Sequence, residues 1–174
     1  MEYIAEPVSR DNLRDLAFYL RKLLGLQDTL YFPVMPFLEH VMPSIYDGFH
    51  YEIVPEEYFP EERHAEIDIA KHIIRIREDV YEGAANGRGQ HRMTVMHEIA
   101  HYILLVQCGV KLGRTFGETP VKRYQDPEWQ AKALAGEIMC PADKISTLSV
   151  EQVMEQCGVS RNAAELNLKI NRRG

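Results

Sequence analysis

An α+β fold follows from three features of this 174-residue sequence. Apolar residues recur at helical spacing in several segments, and one central stretch alternates apolar with polar residues as strands do. Between the strand-like stretch and the C-terminal helices lies GQHRMTVMHEIAHYILLVQCG (89–109), which reads as one helix carrying two histidines four positions apart. A chain of this length, with 45% hydrophobic and 26% charged residues, is expected to form a single domain over 1–174 with its own core.

Residues 11–24, DNLRDLAFYLRKLL, place Leu13, Leu16, Ala17, Leu20, Leu23 and Leu24 at helical spacing, with Asp11 or Asn12 as the expected cap. Prolines at 33, 36 and 43 confine the next helix to a short one around Phe37–Met42. From Phe49 to Val80 the period becomes two. FHYEIV, HAEIDIA and HIIRIRED predict two or three antiparallel strands, with a reversal at Lys71 and His72. GAANGRG (83–89) is rich in turn residues and predicts a loop before the long helix, which should stop at Cys108 and Gly109.

VKLGRTFGETPVKRYQ (110–125) is unpatterned. Asp126 and Pro127 then start a helix, the aspartate as cap and the proline in the first turn, where its missing N–H costs nothing. That helix should end at Pro141. A helical pair at about 149–171 completes the chain: Ser149 caps it with Gln152 as reciprocal partner, Gly158 breaks it and Ser160 caps the second member.

The net charge of −6 argues against nucleic-acid binding through a global basic field. No stretch approaches the roughly 20 apolar residues of a membrane span, and MEYIAEPVSRDN lacks the basic-then-apolar order of a secretory signal. Cys108, Cys140 and Cys157 are expected to be buried free thiols. Together these features place the chain in the cytoplasm.

His97, Glu98, Ile99, Ala100 and His101 spell H-E-x-x-H. Positions four apart on a helix differ by about 40° around the axis and about 6 Å along it, so both imidazoles can reach one metal ion. Glu98, about 100° round from His97, lies beside that ion, where its carboxylate can take a proton from a bound water. A catalytic zinc site needs a third ligand. Glu118, Asp126, Glu128 and Glu137 are the downstream candidates. Glu128 is favoured because its helix carries Ala131, Leu134, Ala135 and Ile138 on one side and can pack closely on the histidine helix. Glu137 is about 13 Å further along the same helix, so the two cannot share one ion.

Arg92, Thr94, His97, Glu98 and His101 match R-x-T-x-x-H-E-x-x-H, and EWQAKALAGEIMCP (128–141) is close to E-x-x-A-N-x-F-A-x-x-L-L-M-P. On these motifs the sequence resembles the ImmA/IrrE metallopeptidases. Lys132, Leu134 and Cys140 depart from the second motif, but none is a proposed ligand. The resemblance implies a zincin-like fold, Zn2+ as cofactor, His97, His101 and Glu128 as metal ligands and Glu98 as catalytic base. It also implies a protein substrate, often a helix-turn-helix transcriptional repressor. By analogy, the substrate should lie along an edge strand at His72–Glu78. Tyr124, Tyr102 and His91, in that order, are the candidates for stabilising the transition state or supporting the ligands.

The C-terminal pair has helix-turn-helix spacing and basic Arg161, Lys169, Arg172 and Arg173, but Leu166, Leu168 and Ile170 suit a packing role. DNA is therefore not the expected partner. The competing expectation is a non-catalytic, metal-stabilised module that binds a regulator or DNA as an antirepressor does.

Overall fold

A strand that the sequence does not announce opens the chain. In the computed structural model, which describes residues 2–60, 62–115 and 120–173, β1 (Glu2–Ala5) pairs antiparallel with residues Leu112–Thr115, more than a hundred positions away. Helix α1 (Arg10–Leu23) follows, capped by Ser9 rather than by Asp11 or Asn12. Ser9 holds the extended backbone a cap requires, and its hydroxyl accepts the Asn12 N–H at 3.1 Å. Leu13, Ala17 and Arg21 form the buried stripe of α1.

The expected short helix at 37–42 is part of a longer helical segment. α2 (Val34–Pro36) runs through a π-helical turn (Phe37–Val41) into α3 (Met42–Ile45), and Phe37, Leu38 and Met42 are buried. Pro36 and Pro43 fall at the starts of turns, where they interrupt little.

The three strands β2 (His50–Val54), β3 (Ala65–Asp68) and β4 (Ile73–Arg77) form one sheet in the order β2-β4-β3. The expectation of an all-antiparallel sheet is corrected here: β3 and β4 are antiparallel, but β2 and β4 are parallel. The connection from Val54 to Ala65 contains Pro55 and Pro60 and carries the chain past the central position, leaving β4 to return between its neighbours. The reversal at Lys71 and His72 is where the sequence put it, with His72 at a left-handed φ of 56°. Ile74 and Ile76 of β4 are fully buried, while Arg75 on the opposite face binds Glu52 at 3.0 Å and Glu66 at 3.1 Å.

A second correction concerns residues 78–85, expected as the end of a strand and a loop. They form α4 (Glu78–Ala85). Glu78 and Asp79 in its first turn suit the helix dipole, and Val80, Gly83 and Ala84 pack inward. Gly83 is required by closeness: a Cβ there would lie 1.6 Å from His91 Nδ1. Only the short turn around Gly87 (φ 83°) remains of the loop.

Helix α5 (Gly89–Tyr102) continues through a second π-helical turn (Ile103–Gln107) and stops at Gly109 (φ 64°). β5 (Leu112–Thr115) then pairs with β1. Asp126 caps α6 (Pro127–Met139), whose buried Ala131, Ala133, Ala135 and Gly136 let it pack closely between α1 and α5. The single turn α7 (Ala142–Ile145) precedes α8 (Val150–Cys157) and α9 (Arg161–Arg173). Ser149 and Gln152 form the reciprocal cap, and Gly158 takes the left-handed conformation that ends α8. Val153, Ala164 and Leu168 are buried, so this pair packs against the body of the fold. Among the described residues no helix is long and apolar enough to cross a membrane.

Candidate metal centre

Two helices converge on three side chains. The inner face of α5 is fixed by buried Val95, Met96, Ile99 and Ala100, which turns His97 and His101 toward the start of α6 with ring centroids 4.7 Å apart. Glu128 lies in the first turn of α6 and reaches both: Oε2 is 3.0 Å from His97 Nε2, and Oε1 is 3.1 Å from His101 Nε2. One ligand atom from each residue can be chosen so that all lie within 4.8 Å of one another.

Zinc ligands at about 2.0–2.1 Å in tetrahedral geometry stand about 3.3 Å from one another. The imidazole–carboxylate separations are close to that value, and two neutral nitrogens with one carboxylate are a suitable donor set. The three residues therefore fit a metal ion. Glu128 is largely exposed and His101 largely buried, so the group opens to solvent on the carboxylate side.

Neighbouring groups hold Glu128 in place. The Asp126 carboxylate accepts the Glu128 N–H at 2.9 Å. Gln130, fully buried, donates to the carbonyls of Tyr124 at 2.8 Å and Glu6 at 2.7 Å, pinning the turn that precedes the helix. Hydrogen bonds from His101 and His97 keep the Glu128 carboxyl well below the usual carboxylate range. Burial opposes charge on His101, yet its hydrogen bond to Glu128 and the nearby acids raise its pKa overall. Glu98 is half-buried; burial pushes its carboxyl upward, His101 and His97 oppose the rise, and Glu128 and Glu66 add to it.

The remaining candidates fall elsewhere. Glu137 is bound to Arg10 at 3.0 Å and Arg14 at 3.1 Å on the α1 side of α6, away from the histidines. Asp126 is occupied as a cap, and Glu118 lies outside the described residues. Tyr102 is buried against Tyr46 and Phe49, and its hydroxyl shares a 2.8 Å hydrogen bond with His72. His91 faces α4 through Gly83, with its Nδ1 buried and unpaired. Tyr124 is exposed, with the Lys122 ammonium 5.8 Å from its ring centre. Cys108 is exposed rather than buried, at the end of the π-helical turn, where its N–H donates to the Ile103 carbonyl at 3.0 Å; Cys140 and Cys157 are buried as expected.

The edge strand is also reassigned. β4, which spans most of His72–Glu78, is the central strand with neighbours on both sides. β2 and β3 are the edges, and β3 packs against α5.

One supporting residue was legible only as a motif letter. Arg92 is 1% exposed and donates to Tyr31 Oη at 2.7 Å, the Phe32 carbonyl at 2.8 Å and the Gly158 carbonyl at 2.9 Å. It ties the histidine helix to the α8–α9 corner and to the segment before α2. A charged residue at a position where the helix should be apolar was the available signal.

Residues 58–169 match the family model of the IrrE N-terminal-like domain, Peptidase_M78. The match covers well over half of the chain, which belongs to this peptidase family. No curated protein matches the sequence.

Proposed function

We propose that this chain is a zinc-dependent endopeptidase with a zincin-like fold, acting in the cytoplasm, in which His97, His101 and Glu128 hold the ion and Glu98 is the catalytic base. The observation that carries this proposal is the Glu128 carboxylate set against both histidines, 3.0 and 3.1 Å from their Nε2 atoms, while Glu98 of the same motif is outside the group. Two imidazoles and one carboxylate with an open side make the ligand arrangement of a catalytic rather than a structural zinc site. When bound, zinc lowers the pKa of a coordinated water toward about 7 and polarises the carbonyl to be attacked.

Glu98 does the proton work. Its raised pKa makes its carboxylate a better proton acceptor near neutral pH than an ordinary glutamate. It takes the proton of the attacking water and passes it to the leaving amine nitrogen. Asp126 and Gln130 keep Glu128 in register with the two histidines, so the geometry exists before substrate arrives. The free edge of β3 beside α5 offers backbone groups to an extended substrate segment. Of the three donor candidates only Tyr124 is exposed, and it is the one assigned to the developing oxyanion.

Family membership supports a peptidase, and the motif resemblance suggests a regulatory protein as its substrate, such as a helix-turn-helix repressor. Arg161, the first basic residue of the C-terminal pair, is bound to Glu151 at 3.0 Å, which offsets its charge as a DNA contact. The test is to incubate the zinc-loaded chain with repressors encoded beside its gene and to sequence new N-termini. A single zinc-dependent cut, abolished by a chelator and restored by zinc, is expected. An intact repressor that binds the zinc-loaded chain stably would overturn the peptidase proposal in favour of a non-catalytic regulator-binding module.

A further inference from the structure

The outer face of α1 carries apolar residues where solvent favours polar ones. The two most exposed large apolar residues described, Leu23 at 62% and Tyr19 at 57%, both lie on it, with Phe18 at 50% beside them. The opposite stripe of the helix, Leu13, Ala17 and Arg21, is buried on the side that packs against α6. Asp15, Phe18, Tyr19, Lys22 and Leu23 stand at i, i+3, i+4, i+7 and i+8, the spacing by which a helix presents one continuous face to a partner. All five are exposed, so no described element of the fold covers that face.

Charge on this face is arranged about a centre. Phe18 and Tyr19 lie in the middle, with Asp15 three residues before Phe18 and Lys22 three residues after Tyr19. Acid and base therefore stand equally far from the midpoint, about 5 Å along the axis in each direction. A second α1 laid antiparallel on the first, with a two-fold axis through that midpoint, sets each Asp15 opposite the Lys22 of the other copy. Phe18 then meets Phe18 and Tyr19 meets Tyr19 beside the axis, where the ring pairs leave water. A parallel arrangement would set Asp15 against Asp15 and Lys22 against Lys22, so charge selects the antiparallel one. Arg14, next to Asp15, is turned inward to Glu137 at 3.1 Å. Phe18 also borders a surface cavity of about 180 Å³ with Pro141 and Ala142 on its wall, which gives the facing Phe18 ring a recess to enter.

We propose that the outer face of α1 binds a second copy of this chain as an antiparallel helix pair, with Phe18 and Tyr19 at the centre and an Asp15–Lys22 ion pair at each end. α6 lies between α1 and α5, so the two copies meet on the side away from His97 and His101 and leave the proposed zinc centre open. The surface also lies outside residues 58–169, the part of the chain matched to the peptidase family. A stripe of two helical turns falls short of the about 800 Å² per partner that stable interfaces bury, so the dimer is a weak one. Its expected dissociation constant is about 10–100 µM.

The test is sedimentation equilibrium of the full chain from about 5 to about 500 µM, a range that brackets the expected constant. A monomer–dimer equilibrium is expected. Phe18→Ser should weaken it about 10-fold or more, since the ring sits at the centre of the contact. Asp15→Lys and Lys22→Asp should each weaken self-association about 10-fold, because each sets like charges opposite one another at both ends. Mixing these two variants should restore association to near the wild-type strength, because a pair made of one copy of each regains both ion pairs. The three substituted positions are exposed, and circular dichroism checks that the helices survive. The proposal is overturned by a dimer that Phe18→Ser leaves unchanged, or by a mixture that associates no better than either variant alone. A wild-type chain still monomeric at about 500 µM overturns it without recourse to any variant.

Discussion

Replacing Arg92 with methionine should destabilise the protein strongly even though methionine is apolar and of similar length. Swapping a buried ion pair for apolar residues is often neutral because both charged partners leave together. Here the partners are main-chain carbonyls of Phe32 and Gly158 at 2.8 and 2.9 Å, which cannot leave. The Phe32 carbonyl keeps the Val34 N–H at 2.9 Å, but the Gly158 carbonyl loses this donor, at a cost of about 1–3 kcal/mol. Loss of the guanidinium stacked 4.0 Å from the Tyr31 ring centre adds about 0.5–2 kcal/mol. Relief from burying an unpaired charge, which lowers the Arg92 pKa in the native protein, offsets part of this. The net expectation is a loss of about 1–3 kcal/mol. With a urea m-value of about 2 kcal/mol/M, the unfolding midpoint should fall by about 0.5–1.5 M. Because Arg92 anchors the helix that bears both histidines, zinc affinity measured by competition with a chromophoric chelator should also fall about 10–100-fold. A midpoint within about 0.3 M of wild type would refute the claim that the Gly158 carbonyl depends on Arg92.

Asp126→Ala removes the cap of α6 and should cost about 1 kcal/mol in urea unfolding, with zinc binding weakened about 10-fold because the capped N–H belongs to Glu128 itself. Glu128→Ala should reduce zinc from stoichiometric to trace amounts by elemental analysis after dialysis, while circular dichroism shows the helices intact; full occupancy would remove Glu128 from the ligand set. The pair of hydrogen bonds from Arg77 holds the Asp79 carboxyl down at about 2, against an ordinary value of 3.8. A depressed carboxyl stabilises the fold above its ordinary pKa, and that contribution is lost as pH falls toward 2. Asp79→Asn should therefore be less stable than wild type at neutral pH, with the gap closing between about pH 4 and pH 2 in acid titrations followed by tryptophan fluorescence.

The parts of the fold that the sequence made legible are those with local causes. Asp126-Pro127 placed the start of α6 because a cap and a first-turn proline act within four residues, and Ser149 with Gln152 did the same for α8. The meeting of His97, His101 and Glu128 could be read from helix spacing plus a second motif, since the buried alanines of α6 let it approach α5 closely. What depended on distant partners was not legible. β1 is a strand because Leu112–Thr115 lies beside it, and nothing in EYIA carries that information. The parallel pairing of β2 with β4 is set by the path of the 55–64 connection, whereas alternation reports only which face is buried. α4 was hidden because Gly83, Asn86 and Gly87 read as a loop; Gly83 serves close helix packing on His91 instead. The helix end at Cys108-Gly109 was legible, but the exposure of Cys108 was not, because its apolar neighbours suggested burial.

The central claim is that Glu98 moves the proton while other residues hold the metal, and Glu98→Gln tests it most directly. Zinc content and cleavage of the natural protein substrate are measured on the same preparation. The expected result is stoichiometric zinc, wild-type unfolding behaviour and cleavage reduced about 10²–10⁴-fold. Cleavage within a few-fold of wild type, or loss of zinc on this substitution, would contradict it.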